Sequence, residues 1–341
     1  MMYLIIGGAG YIGSHIVKRM YEEGRQFIVL DDLSTGHLEA LQAIENNADH
    51  FGGKIVFIKG NAGDMSLLRQ LFMDYPIKAV IHLAACSLVG ESMQKPGKYF
   101  LNNVSNTVSL LECMMEYNIK QIVFSSTAAV YGEPEIIPIL EDVETRPANV
   151  YGASKLMVEN ILEWYGRIYG LRYVVLRYFN AAGADPSAVI GEDHKNETHL
   201  IPILARAALG LIPCFSLFGD DYATADGTCV RDYIHVNDLA SAHLLAVDAL
   251  NDGRSSRIYN LGNNQGYSVR EVLNAMEQVS GVSIPCAVLE RRAGDPAILV
   301  ASSEKIKQEL GWRPVHTDIY DIVGTAWEWH RKHPQGYDAR D

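Results

Sequence analysis

Short apolar runs alternate with amphipathic stretches along the first half of the chain. Tyr3–Ile6, Phe27–Leu30, Ile55–Ile58, Ala79–His82, Gln121–Phe124 and Tyr173–Arg177 read as strands buried on both faces. Between most of them, apolar positions recur at helical spacing: Ile12–Glu23, Leu67–Tyr75, Val104–Tyr117 and Ser154–Tyr169. This alternation predicts an α/β fold with a parallel, doubly wound sheet. Right-handed crossovers then place a ligand at the carboxyl ends of the strands, near the switch point. After Asn180 the texture changes. Residues 185–199 read as a long irregular loop, a length often given over to function. A helix follows over Val236–Leu250 and a strand over Arg257–Leu261; further helices are expected over Ser268–Ser280, Ser302–Leu310 and Asp318–Lys332. The expected division is a first domain over 1–180, rejoined by about 236–263, and a smaller C-terminal α/β domain over 181–341.

Composition narrows the partners. The 341 residues are 48% hydrophobic and 21% charged, with a net charge of −12. Such an acidic chain is a poor ligand for nucleic acid or an anionic membrane. No apolar run approaches the roughly 20 residues that span a bilayer. The opening MMYLIIGGAG lacks a charged start and a cleavage site, so it reads as a strand and not as a signal peptide. Cys86, Cys113, Cys214, Cys229 and Cys286 are scattered and never in CxxC spacing. No disulfide framework and no metal site is read from them, and a cytoplasmic location fits. The sequons at Asn103 and Asn196 then carry no weight.

The first strand runs directly into Gly7-Gly8-Ala9-Gly10-Tyr11-Ile12-Gly13, which opens a helix. Glycines permit a tight turn and close approach of backbone to a pyrophosphate, which the helix N-terminus attracts. Alone the string is weak; a strand before, a helix after and a second strand ending at Leu30 make it a Rossmann-type dinucleotide site. Asp31 follows that second strand, where a carboxylate can bond the ribose hydroxyls of NAD and repel the 2′-phosphate of NADP.

Tyr151 and Lys155 stand four residues apart, on one face of a helix. A phenol with a pKa of about 10 is a poor base at neutral pH, and a nearby ammonium lowers it. The YxxxK spacing recurs by accident on amphipathic helices, so its company matters. Ser125-Ser126-Thr127 follows the strand ending at Phe124, on the ligand side of the sheet. Thr127 is the expected third catalytic position, sharing the substrate's hydrogen bond.

The set GGAGYIGSH, HLAA (His82–Ala85), VGES, FSSTAAVYG, YGASK and RYFNAAGA resembles the extended short-chain dehydrogenase/reductase family. The likeness continues through FGDDYATADGTCVRDYIHVNDLA (Phe218–Ala240), the Arg291-Arg292 pair with Gly294-Asp295, and HPQGY near the end. The glycine and YxxxK strings are shared by many relatives; the Phe218–Ala240 stretch is far more specific. The resemblance implies an isomerase that interconverts UDP-galactose and UDP-glucose at C4, through a 4-keto sugar and a recycled NAD. It implies cofactor contacts from Gly7, Gly10, Tyr11, Ile12, Gly13, Asp31, Asn61, Ala84, Asn102, Lys155 and Tyr178. Substrate contacts are implied for Thr127, Tyr151, Asn180, Leu200, Phe218, Arg231, Tyr233, Arg292, Asp295 and Leu299. Among these, Arg231 and Arg292 are the expected diphosphate partners, since guanidinium forks suit phosphate oxygens.

Two departures bear on the cofactor. Asn61 stands where relatives carry an aspartate at adenine, and Ser87 where a lysine often reaches the phosphates. Two further positions bear on the reaction. Ala128-Ala129 replace the Asp–Glu pair of nucleotide-sugar dehydratases, which removes the proton carriers for eliminating water. Leu299 replaces a tyrosine that narrows the space beside the sugar's 2-substituent, which extends the expectation to UDP-N-acetylhexosamines; a core leucine without bearing on substrate is the equal alternative. Rival readings are an enzyme acting on UDP-glucuronate, for which no extra anion-binding group is identified, and a non-catalytic NAD sensor, which Tyr151 and Lys155 argue against. The resemblance also implies a homodimer through a four-helix bundle, with Leu110, Leu111, Met114, Met157, Ile161 and Trp164 on its apolar faces.

Overall fold

The computed structural model describes residues 1–47, 54–292 and 295–337; Gly294, quoted above, lies outside them, as do the last residues of the expected second domain. The strands, in chain order, are β1 (Met2–Ile6), β2 (Gln26–Asp31), β3 (Val56–Lys59), β4 (Ile77–His82), β5 (Gln121–Thr127), β6 (Arg172–Tyr178), β7 (Asn180–Ala182), β8 (Phe215–Phe218), β9 (Val230–His235), β10 (Arg257–Leu261), β11 (Gly266–Ser268), β12 (Cys286–Leu289) and β13 (Ile298–Leu299). The helices are α1 (Tyr11–Glu22), α2 (Leu38–Asn47), α3 (Met65–Asp74), α4 (Val89–Gln94), α5 (Pro96–Tyr99), α6 (Asn106–Glu116), α7 (Val150–Tyr169), α8 (Leu200–Ala208), α9 (Val236–Asn251), α10 (Val269–Ser280), α11 (Glu304–Leu310) and α12 (Ile319–Lys332).

Seven strands form one parallel sheet in the order β3-β2-β1-β4-β5-β6-β10. The order reverses between β1 and β4, where a doubly wound sheet opens its ligand crevice. Because side chains alternate across a strand, each apolar run feeds two cores. Tyr3, Ile5, Val29, Val123 and Leu176 face a layer built from α1, α2 and α9. Leu4, Ile6, Ile28, Phe124 and Val175 face the layer of α3, α6 and α7. The runs are apolar throughout because both faces are covered.

The second unit is smaller. β9 is its spine, pairing with β7, β11 and β13, while β8 pairs with β12. Helices α8, α10 and α12 bury Leu204, Met276 and Trp327 against Phe215, Leu217 and Tyr233. As expected, residues 185–199 form no regular element. β9 leads straight into α9, which packs on α1, and β10 then joins the main sheet beside β6.

Three local differences from the sequence reading have physical causes. Helix α2 escaped notice because it buries only Ala40, Leu41 and Ile44. The helix expected from Val104 begins at Pro96 and passes through a π-turn at Phe100–Ser105 before α6, and such an inserted residue blurs the helical period. Leu110, Leu111 and Met114, expected on an exposed face, are fully buried against the sheet. On α7 the expectation divides: Met157 and Trp164 are exposed, whereas Ile161 packs against the core. No described helix is long and apolar enough to cross a membrane.

Candidate active site

The carboxyl ends of β1, β2, β3 and β4 gather the residues expected to hold a dinucleotide. Gly7 sits at φ +84°, and a Cβ there would lie 2.6 Å from the Ala84 nitrogen. At Gly13 a Cβ would lie 2.0 Å from the Gly7 carbonyl oxygen. The loop closes only with glycine at both positions. Gly10 caps α1 without a side-chain bond, so no protein side chain caps the first N–H groups, at Tyr11, Ile12 and Gly13. Asp31 ends β2 and accepts from the Ala9 nitrogen at 3.0 Å and from the Leu33 nitrogen at 2.9 Å. A carboxylate has about four acceptor sites, so ribose hydroxyls still find partners there. Burial raises the Asp31 pKa, and the two backbone bonds oppose the rise.

A ribbon of amides continues from this point. Asn61 donates to Asp32 at 3.0 Å and accepts from Asn106 at 3.0 Å. Asn102 accepts from Asn106 at 3.4 Å and donates to Asn103 at 3.1 Å. Asn103, whose sequon carried no weight in the sequence, is buried. It clamps the Cys86 backbone at 2.8 and 3.0 Å and donates to the Ser154 hydroxyl at 3.0 Å. It therefore ties the loop after β4 to the first turn of α7.

That turn carries Tyr151. Asn149 caps α7 by accepting from the Gly152 nitrogen at 2.8 Å, so the helix begins one residue before Tyr151. Thr127, at the end of β5, pairs in register with Tyr178 on β6. Its hydroxyl bonds Tyr151 and pulls the phenol pKa down, while burial, the larger effect, pushes it up. Lys155 is buried, with Nζ donating to the Ser125 carbonyl at 2.8 Å and standing 4.8 Å over the Phe124 ring. Burial lowers its pKa to about 7, with Glu159 opposing. Burial thus acts against the charged form of both members of the pair.

His243, on α9, is a site residue that sequence reading missed. Its Nδ1 faces the Leu239 carbonyl at 2.8 Å, so that nitrogen bears the proton. Its Nε2 then accepts from Tyr178 at 3.2 Å and Ser125 at 3.3 Å. Burial lowers its pKa to about 4, which keeps it an acceptor at neutral pH. A lone histidine on an apolar helix gives no signal of this in the sequence.

Behind the pair, Glu159 is the next residue of the stripe Tyr151–Lys155–Glu159. It is bound to Arg177 of β6 at 3.1 and 3.2 Å through Nε, with one shorter bond from Nη2. It also accepts from Ser126 at 2.5 Å. Arg177 donates onward to the Tyr131 hydroxyl at 2.8 Å, which donates to Asn260 at 2.7 Å. The network fixes α7 to β5, β6 and β10.

The expected substrate residues line up along β9. Arg231 and Tyr233, two apart on a strand, share a face. Leu299 pairs in register with Arg231, and Asn180 with Tyr233. Only Phe179 separates Tyr178 from Asn180, so the second unit starts where the Tyr–Lys pair stands. Arg231 is ion-paired with Asp295. Arg292 lies 4.0 Å over the Phe218 ring, at the end of β8. Leu200 opens α8 and packs on the core that holds Tyr233. Leu299 packs beside Val130 and Tyr131 in the turn that follows Thr127.

An uncapped helix start, a carboxylate at the end of β2 and a buried Tyr–Lys pair at the end of β5 fit a dinucleotide laid across the switch point. Comparison with known proteins agrees. Residues 3–262 match the NAD dependent epimerase/dehydratase family. The chain is 50% identical over 341 residues to the UDP-glucose 4-epimerase of Halalkalibacterium halodurans, covering 100% of this chain and 99% of that one. It superimposes with a TM-score of 0.93 on the UDP-glucose 4-epimerase of Bifidobacterium longum in complex with NAD+ and UDP, at 39% identity, covering 98% of this chain and 100% of that one. The UDP-Glc/GlcNAc 4-epimerase of Campylobacter jejuni gives a TM-score of 0.84 at 38% identity, covering 97% and 99%.

Proposed function

We propose that this chain, which belongs to the NAD dependent epimerase/dehydratase family and takes NAD as its cofactor, interconverts UDP-galactose and UDP-glucose by epimerisation at C4. The observation that carries the reading is the convergence of Tyr151, Thr127 and Tyr178 at the ends of β5 and β6, one residue away from the start of the β9 sheet. When bound, NAD would supply the hydride-accepting and hydride-donating chemistry that inversion at C4 requires.

The chain's own residues do the rest. Tyr151 takes the proton of the 4-hydroxyl and later returns it. Thr127 shares that hydrogen bond. Lys155 carries positive charge to the nicotinamide ribose and the phenol once a ligand covers the site. Tyr178, held by His243, flanks the ring. Gly7, Gly10, Tyr11, Ile12 and Gly13 cradle the pyrophosphate, Asp31 the ribose, and Asn61, Ala84 and Asn102 the rest of the dinucleotide. Arg231 and Arg292 grip the diphosphate, with Arg231 exchanging Asp295 for phosphate oxygens. Asn180 bonds the diphosphate or sugar, Leu200, Phe218, Tyr233 and Asp295 hold the uridine end, and Leu299 borders the sugar. Anchoring the UDP while leaving the hexose loose lets remote binding energy retain an intermediate that must turn. The domain division follows the same split: residues 1–180 with 236–263 for NAD, and the remainder of 181–341 for the UDP-sugar.

Incubation of purified protein with UDP-galactose and no added NAD should yield UDP-glucose, because a recycled cofactor stays bound. Leucine at 299 leaves room beside the 2-substituent, so UDP-N-acetylglucosamine should also turn over, and Leu299→Tyr should lose that activity while keeping the first. Equal inactivity of both proteins toward the N-acetylated sugar would remove the wider substrate range.

The assembly we propose is a homodimer. Met157 and Trp164 on α7 are 45% and 58% exposed, and Leu101 on the π-turn is 67% exposed. Three large apolar side chains on adjoining segments suit a partner face. Sedimentation at micromolar concentration should give twice the chain mass; a monomer there would count against this face. The five cysteines are free thiols, which favours a cytoplasmic location.

A further inference from the structure

The irregular segment between β7 and α8 brings together four side chains that the reaction does not use. Glu192, His194, Glu197 and His199 each offer one ligand atom, and these atoms lie within 4.8 Å of one another. We propose that they form a binding site for one divalent transition-metal ion of the zinc type, held by two imidazole nitrogens and two carboxylate oxygens. Cysteine spacing gave no zinc site; this set uses none of the cysteines.

The spacing fits such an ion. Zinc binds nitrogen and oxygen at about 2.0–2.2 Å, which sets tetrahedral ligands about 3.3 Å apart. The His194 Nδ1 lies 3.2 Å from the Glu192 carboxylate and 3.5 Å from that of Glu197. The His199 Nδ1 lies 3.6 Å from Glu197 and in closer contact with Glu192. The first three separations lie near the tetrahedral edge, and the His199–Glu192 contact is a direct hydrogen bond that an ion would replace.

The charge balance fits as well. The Glu192 and Glu197 side chains are 4% and 5% exposed, and among the described residues neither pairs with a lysine or arginine. In the metal-free chain both carboxylates are paired with His194 and His199, which compensate them only while protonated. A divalent ion neutralises both while the imidazoles remain neutral ligands. The Nε2 of His330, on α12, is shut from solvent and has no hydrogen-bond partner among the described residues, and Glu192 and Glu197 are the carboxylates that act on this ring most strongly.

The site is anchored and has an entrance. Trp329 Nε1 donates to the Glu192 carbonyl at 2.9 Å, which fixes the backbone at the buried ligand. His199 is half exposed and caps α8 just before Leu200. An ion here pins the irregular segment to the start of α8.

The test uses the full chain, dialysed against a chelator and then exposed to Zn2+ or Co2+. After gel filtration the protein should retain about one zinc per chain, Co2+ should give the visible absorption of a tetrahedral N/O site, and Zn2+ should raise the melting temperature. His194→Ala with His199→Ala should weaken binding at least tenfold and abolish the thermal shift. The milder Glu192→Gln, checked for native circular dichroism, should weaken it too. Cys286→Ser should bind like the parent, because that exposed thiol is the competing surface ligand. Failure of the parent to retain metal, or retention unchanged in the histidine and glutamate variants, overturns the site. No sugar substrate is involved, so the outcome is independent of the epimerase reading.

Discussion

Tyr151→Phe should lower kcat for UDP-galactose about 10³-fold, within the range that a positioned acid–base group contributes. The substitution removes one oxygen and leaves the ring. Burial already favours the neutral phenol, so no other group of the protein is poised to replace it: His243 is neutral and turned to Tyr178 and Ser125, and Lys155 is held on a carbonyl. NAD retention should be unchanged, because the glycine loop and Asp31 lie on other strands. Cofactor released on denaturation measures the second quantity, and product formation the first. A variant that keeps near-full activity would refute the assigned base. One that loses NAD as well would show that the substitution acted through binding. Burial raises the Tyr151 pKa against the Thr127 bond, so positive charge that arrives with the ligands would favour the phenolate.

Glu159→Ala should be the most damaging substitution outside the chemistry. Removing one member of a buried ion pair leaves the other charge uncompensated, at a cost of about 3–5 kcal/mol. Arg177, 4% exposed, would be that charge. For a chain of this size the melting temperature should fall by roughly 4–7 °C. Pairing Glu159→Met with Arg177→Met should recover much of the loss, because two apolar side chains leave no orphan. Thermal melts of the two single variants and the double variant decide it; strictly additive losses would show that the pair is not the unit. Activity should fall beyond the stability loss, since Glu159 seats the same helical stripe that presents Tyr151 and Lys155.

The parallel sheet was legible because its strands are continuous apolar runs, a pattern that burial on both faces enforces. Tyr151 and Lys155 were legible because an i, i+4 pair advertises itself, and the glycine loop because both its flanks could be checked. What the sequence hid are contacts between distant polar residues. Nothing in the sequence links Glu159 with Arg177 until the fold closes them on each other. Asn103 reads as a sequon, and His243 as one polar position on a buried helix. Leu110, Leu111 and Met114 were misjudged because periodicity tells that a helix has an apolar side, not which neighbour covers it. Spacing gives proximity of Tyr151 to the ammonium, and the fold adds that both groups are buried.

The chain leaves the main sheet after β6, comes back from β9 into α9, leaves again after β10, and returns once more as α11, which packs on β10 and α9, before α12. Joined by a single strand, two lobes can swing like a clam. Stitched repeatedly, they are braced against one another. Their arrangement should then hold through a catalytic cycle, and the turning 4-keto sugar must find its clearance in the shape of the walls and not in the opening of a jaw.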